Sequence, residues 1–145
     1  MKTLQFSVNI NAPAQKVWDA LWSDTTYPEW TKFFGPGSQM KSDWKAGGKT
    51  FFTDEKGNGM LSTIKTIEAP HAVVFEHLGW LADGVEDTTS EQGKAFAGSL
   101  EKYTLVEDNG ATTLGVTVDT LEAHEPMMNN GFTKGLEVVK ELAEK

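Results

Sequence analysis

From residue 3 to residue 10, Leu4, Phe6, Val8 and Ile10 alternate with polar residues. A period of two puts all four on one side of an extended chain, so a half-buried strand is expected there. The period changes after Asn11-Ala12-Pro13. Val17, Trp18, Leu21 and Trp22 recur at helical spacing and predict a helix of about three turns over residues 13–22. Proline suits its first position, where a missing N–H loses nothing. Residues 23–34, with Asp24, Tyr27-Pro28 and Trp30, read as a second short helical piece and an irregular turn. Gly35-Pro36-Gly37 then breaks the chain.

Beyond that break the pattern is that of a strand meander, with strands expected at roughly 39–44, 49–54, 59–68, 73–80, 98–107 and 112–120. Ala46-Gly47-Gly48, Glu55-Lys56-Gly57-Asn58, Ala69-Pro70-His71 and Asp108-Asn109-Gly110 supply turn chemistry between them. Residues 81–97 are polar and glycine-containing and read as a long loop, a kind of segment that often carries function. Helical period returns over residues 125–144, where Met128, Phe132, Leu136, Val139 and Leu142 form one stripe. Gly131 and Gly135 interrupt it, each at about 1 kcal/mol of helix propensity. Their missing side chains leave room for close packing or for a ligand.

A meander has one face to cover, and the last helix is the only large amphipathic element left to cover it. The expected fold class is therefore α+β: a curved antiparallel sheet of about six or seven strands, two short N-terminal helices and a long C-terminal helix. At 145 residues the chain reads as one domain over residues 1–145.

Composition narrows function mainly by exclusion. The net charge is −8, and all 13 basic residues are lysine. Arginine is the usual residue for phosphate and base-edge recognition. Without it, and with an acidic balance, neither nucleic acid nor an anionic membrane surface is an expected partner. The absence of cysteine excludes a disulfide framework and a thiolate metal site. Three isolated histidines with no H-x-x-x-H spacing suggest no zinc site, and neither a metal nor another cofactor is expected. No run approaches the ~18 apolar residues of a membrane span. The N-terminus alternates where a signal peptide would hold an apolar core, so a cytoplasmic location is expected. Five tryptophans and eight phenylalanines are many for this length and need a core or a pocket to sit in.

Several segments together resemble a known family. Ile10-Asn11-Ala12-Pro13-Ala14-Gln15-Lys16-Val17-Trp18-Asp19-Ala20-Leu21 is similar to the opening of the bacterial family named after the activator of heat-shock protein 90 ATPase. Trp30-Thr31, Asp43-Trp44-Lys45-Ala46-Gly47-Gly48, Ile67-Glu68-Ala69-Pro70 running into Val73-Val74-Phe75, and Ala111-Thr112-Thr113-Leu114 extend the likeness over nearly the whole chain. The opening helix and the Trp-Lys-x-Gly-Gly turn are fairly specific together and weak alone. The family lies in the START-like, or SRPBCC, superfamily, which includes the birch-pollen allergen. The resemblance implies a helix-grip fold and, often, a hydrophobic cavity between helix and sheet. It implies little about chemistry, because superfamily members range over lipid carriers, polyketide cyclases and hormone receptors. A chaperone partner follows by analogy only, since the eukaryotic co-chaperone is similar in just one of its two domains.

Parity and spacing nominate residues to line the cavity that the resemblance implies. Trp30 and Phe34 come from the second helical piece, Phe52, Phe75 and Tyr103 from strands, and Met128 and Phe132 from the last helix. Val116 and His77 join them on the inward parity. For each aromatic residue the competing reading is packing in a filled core. His77 shares the parity of Val73 and Phe75, so it could hydrogen-bond a ligand or act as a general acid or base. Otherwise it is a buried histidine satisfied by a neighbour. Glu86, Asp87 and Glu91, with Glu122 and Glu125, lie in polar surroundings and read as a solvated face. Residues 54–59 do not match a calcium loop, and no nucleophile motif or phosphate-binding glycine loop occurs, so no catalytic residue is assigned. Residues 30–37 and 81–97 are expected to border the pocket mouth.

The expected function is binding of a small hydrophobic or amphipathic ligand (lipid, polyketide or flavonoid-like) by a monomer or weak dimer. The alternatives are a cyclase- or hydrolase-type enzyme using His77, and a chaperone-associated interaction module.

Overall fold

The alternating N-terminal segment forms an edge strand, β1 (Lys2–Ile10), and the helical spacing after it forms α1 (Ala14–Trp22). The computed structural model describes residues 1–145, the side chain of Gln92 excepted. After α1 come α2 (Tyr27–Thr31), β2 (Gln39–Ser42), β3 (Lys49–Thr53), β4 (Gly59–Glu68) and β5 (Ala72–Ala82). Then follow β6 (Val85–Asp87), α3 (Glu91–Phe96), β7 (Leu100–Asp108), β8 (Ala111–Thr120), a 3-10 turn at Glu122–His124 and α4 (Glu125–Glu144). The strands make one antiparallel sheet in the order β1-β8-β7-β5-β4-β3-β2, with β6 paired to the far end of β5.

The sheet is closed on one side by α1, α2 and α4. Val17 and Leu21 of α1 are fully buried, as are Val73 and Phe75 of β5 and Leu114, Val116 and Val118 of β8. Proline at the start of α1 leaves no side-chain cap, and the orphan amide of Ala14 instead donates to Glu107 Oε1 on β7 at 2.7 Å. On α4 the stripe Phe132, Leu136, Val139 and Ala143 is buried, and the Phe132 ring stacks on Phe6 of β1 at 5.0 Å. Of the two readings of the α4 glycines, close packing is the one realised. A Cβ on Gly135 would lie 2.6 Å from the Trp30 carbonyl oxygen, and one on Gly131 would run into the Phe34 ring. The glycines let α2 and the turn after it lie directly on α4.

One expectation needs correction. Residues 81–97 are not a loop. Strand β5 continues to Ala82, turns through Asp83 and Gly84, both with positive φ, and returns as β6, with Ala82 paired to Val85. Asp-Gly is a strong signal for such a two-residue hairpin, because both positions need a left-handed backbone. Helix α3 follows, capped by Ser90, whose Oγ accepts from the Gly93 amide at 3.1 Å. The pairing of β4 with β5 also contains a bulge. Leu61 pairs with Gly79 and Ser62 with His77, so Leu78 is an extra residue on β5. This bulge turns Trp80 onto the same face as Phe75 and His77, against simple alternation.

Candidate functional site

A cavity of about 430 Å³ opens between the sheet and the helices. Helix α2 and the turn after it contribute Tyr27, Trp30, Thr31 and Phe34 to its wall. Helix α4 contributes Met127, Met128 and Phe132. The sheet contributes Phe52, Met60, Trp80, Glu101 and Tyr103, and the β3–β4 turn, from Asp54 to Asn58, forms part of the rim. Six of the nine residues expected from the sequence therefore reach the wall: Trp30, Phe34, Phe52, Tyr103, Met128 and Phe132. Phe75, His77 and Val116 do not. All three are at most 1% exposed and lie behind the wall, where neighbouring strands and rings cover them. The rim is also corrected: residues 30–37 contribute to it as expected, but the β3–β4 turn replaces residues 81–97.

His77 is connected to the cavity through Glu101. Its Nδ1 lies 2.6 Å from Ser62 Oγ, and its Nε2 faces Glu101 Oε1 at 3.6 Å. A carboxylate opposite Nε2 favours the proton on that nitrogen, which leaves Nδ1 to accept from the Ser62 hydroxyl. Glu101 Oε2 accepts from the Tyr103 hydroxyl at 2.5 Å. The chain Ser62–His77–Glu101–Tyr103 thus runs from a fully buried serine to two residues on the cavity wall. Burial pushes the Tyr103 hydroxyl well above its ordinary pKa, and the Glu101 carboxylate beside it adds to the shift. Tyr27 is raised for the same two reasons, burial first.

Glu101 and Tyr27 were missed from the sequence. Glu101 had a signal: it sits two residues before Tyr103 on one strand and so shares its face. The Lys56 and Asn58 amides donate to Asp54 Oδ1 at 2.8 and 3.0 Å. These hydrogen bonds hold the Asp54 carboxyl below its usual range and order the rim. The acidic residues read as a solvated face behave that way. Glu86 pairs with Lys49 at 2.8 Å and Glu125 with Lys2 at 3.1 Å. Asp87 accepts from Ser90, whose hydroxyl keeps its pKa low. Among the described residues no three His, Asp or Glu side chains converge as a metal site would need. Among the described residues no helix is long and apolar enough to cross a membrane.

A smaller cavity of about 250 Å³ adjoins the first, with Tyr27 and Gln39 lining both. Trp22 is on its wall, and among the described residues the buried Trp22 indole N–H finds no acceptor.

A curved antiparallel sheet wrapped on a long C-terminal helix, with a hollow between them, is the helix-grip architecture. The chain belongs to the family described as Activator of Hsp90 ATPase homolog 1-like protein, whose model matches residues 11–144. Solved structures share the fold. Protein MLL2253 from Mesorhizobium loti is 16% identical, with 97% of this chain and 96% of that one covered at a TM-score of 0.73. The Aha1 dimer from Colwellia psychrerythraea is 16% identical, with 99% and 97% covered at 0.71. CalU16 from Micromonospora echinospora is 18% identical, with 97% and 75% covered at 0.65. At such identities these likenesses speak to fold alone. No curated protein matches the sequence.

Proposed function

We propose that the protein binds a small hydrophobic or amphipathic ligand between the sheet and α4. The observation that carries this reading is the 430 Å³ hollow lined largely by aromatic and methionine side chains. Small-molecule sites span roughly 300–1,000 Å³ and combine apolar walls with a few placed polar groups. A lining of rings and thioethers that includes one carboxylate within the wall, Glu101, matches that composition. The hydrolase alternative gains nothing from the Ser62–His77–Glu101 chain. Ser62 is fully buried and off the cavity wall, so it cannot meet a substrate as a nucleophile.

A ligand at a hundred times its Kd adds ~2.7 kcal/mol of stability. In a domain of this size that is a rise in Tm of roughly 6–11 °C. A thermal-shift screen of lipids, flavonoids and polyketides should find compounds that produce it, and a screen with no shift overturns the reading. The Colwellia psychrerythraea relative is a dimer, which supports the weak-dimer half of the expected oligomeric state. Sedimentation over a hundredfold range of concentration would reveal such an equilibrium.

A further inference from the structure

The polar groups of the cavity are unevenly signed. Among the described residues, the charged side chains on its wall are Asp54, Glu55, Lys56 and Glu101. The first three belong to the rim turn, and Glu101 stands on strand β7 within the wall. Its side chain is 15% exposed, so the carboxylate is largely withdrawn from bulk water yet open to the hollow. A carboxylate has about four lone-pair sites. Tyr103 occupies one, and His77 Nε2 stands behind the group at 3.6 Å. What remains faces the cavity as an acceptor.

The Tyr103 hydroxyl is already committed to Glu101, so it offers an entering ligand no free donor. The surroundings suit a cation. Tyr27, Trp30, Phe34 and Tyr103 also line the cavity, and an aromatic lining attracts positive charge most when both are withdrawn from water. Asp54, held ionised by its own turn amides, adds negative charge at the rim, and the chain as a whole carries −8. An anion would meet like charge at depth and would find only Lys56, at the rim, to pair with.

We propose that the ligand of this cavity is an amphipathic organic cation, with its protonated amine against Glu101 and its apolar body along Phe34, Phe52, Met128 and Phe132. This rests on the cavity being a ligand site at all, and the test separates the two ideas. Decylamine, decan-1-ol and decanoate share one apolar body and differ in the end group. Each would be titrated at pH 7.5 against the neutral fluorescent probe N-phenyl-1-naphthylamine bound to the full chain.

The expected order is decylamine tightest, decanol about tenfold weaker and decanoate weaker again, because a charge-assisted hydrogen bond is roughly twice as strong as a neutral one. In Glu101→Gln the preference for decylamine over decanol should collapse to near unity while the probe still binds. If the probe binds and decanol or decanoate competes as well as decylamine, the cation proposal is overturned and ligand binding stands. A preference that survives in Glu101→Gln also overturns it. If neither the probe nor any of the three compounds binds, the cavity reading falls and the cation proposal with it. Should Glu101→Gln fail to fold, the wild-type ranking decides alone.

Discussion

Two neighbouring parts of the same interior use the same residue types to opposite ends. Trp22, only 8% exposed, is packed among rings: Trp30, Trp44, Phe75 and Tyr103 surround it at ring-centroid distances of 4.8 to 6.3 Å, although it also touches the smaller cavity. Toward β3, Phe34, Phe52, Met128 and Phe132 line a hollow. Both parts are rich in aromatic residues, so hydrophobicity does not distinguish them. What differs is the element standing over the sheet. Helix α1 lowers Val17, Leu21 and Trp22 into the concave face. At the Phe52 end the cover comes from α2, the turn after it and the first turns of α4, and Gly131 and Gly135 draw these against one another. Their side chains are spent on each other, and the sheet beneath is left uncovered.

The largest effect that would test this contrast is at Trp22. Trp22→Ala should cost about 3–5 kcal/mol in urea denaturation. Phe34→Ala, at a ring that already borders empty space, should cost less than half as much, and equal losses would break the comparison. Next comes Gly135→Ala. Its methyl would press on the Trp30 carbonyl oxygen, which is backbone and cannot swing aside. The expected cost is about 1–3 kcal/mol, despite the better helix propensity of alanine, and a stabilised variant would mean that α2 yields easily.

A third effect follows pH. In the native state Tyr103 keeps its proton far above the ordinary value of 10.0, whereas the unfolded chain releases it near that value. Stability is therefore fully present below about pH 10. It should fall above that, by up to about 1.4 kcal/mol per pH unit for this group. Denaturant midpoints at pH 9, 10 and 11 should fall less steeply in Tyr103→Phe, and an unchanged slope would show that Tyr103 titrates normally. The smallest effect on stability is expected from Met128→Trp, which places a large ring at the hollow. Unfolding free energy should stay within about 1.5 kcal/mol, as for substitutions that a site can accommodate. Binding of N-phenyl-1-naphthylamine should weaken at least tenfold by the scale of lost pocket contacts. A large stability loss instead would mean that the hollow is not there to be filled.

Much of this architecture was legible in the residues. The meander, α1 and the stripe on α4 follow from period, and the likeness to the family agrees with the match over residues 11–144. Two features were readable and passed over: the Asp83-Gly84 hairpin signal and the shared parity of Glu101 with Tyr103. The position of Trp80 was not readable. Alternation puts it opposite Phe75, and only the extra residue Leu78, seen once β4 and β5 are paired, brings it round. His77 was correctly placed on the inward face, but whether an inward residue meets a cavity or a neighbour depends on what covers it, and Phe52 and Glu101 stand between His77 and the hollow.

Period and turn chemistry are properties of a few adjacent residues, so the succession of strands and helices, and which side of each is apolar, could be read from the chain alone. The hollow depends on distances between segments far apart in sequence: Gly135 against Trp30, Gly131 against Phe34, Glu101 against His77. Aromatic content could demand a core or a pocket, but only the crossing of α2 and α4 decided that there would be both, because packing fills space only where an element passes over it.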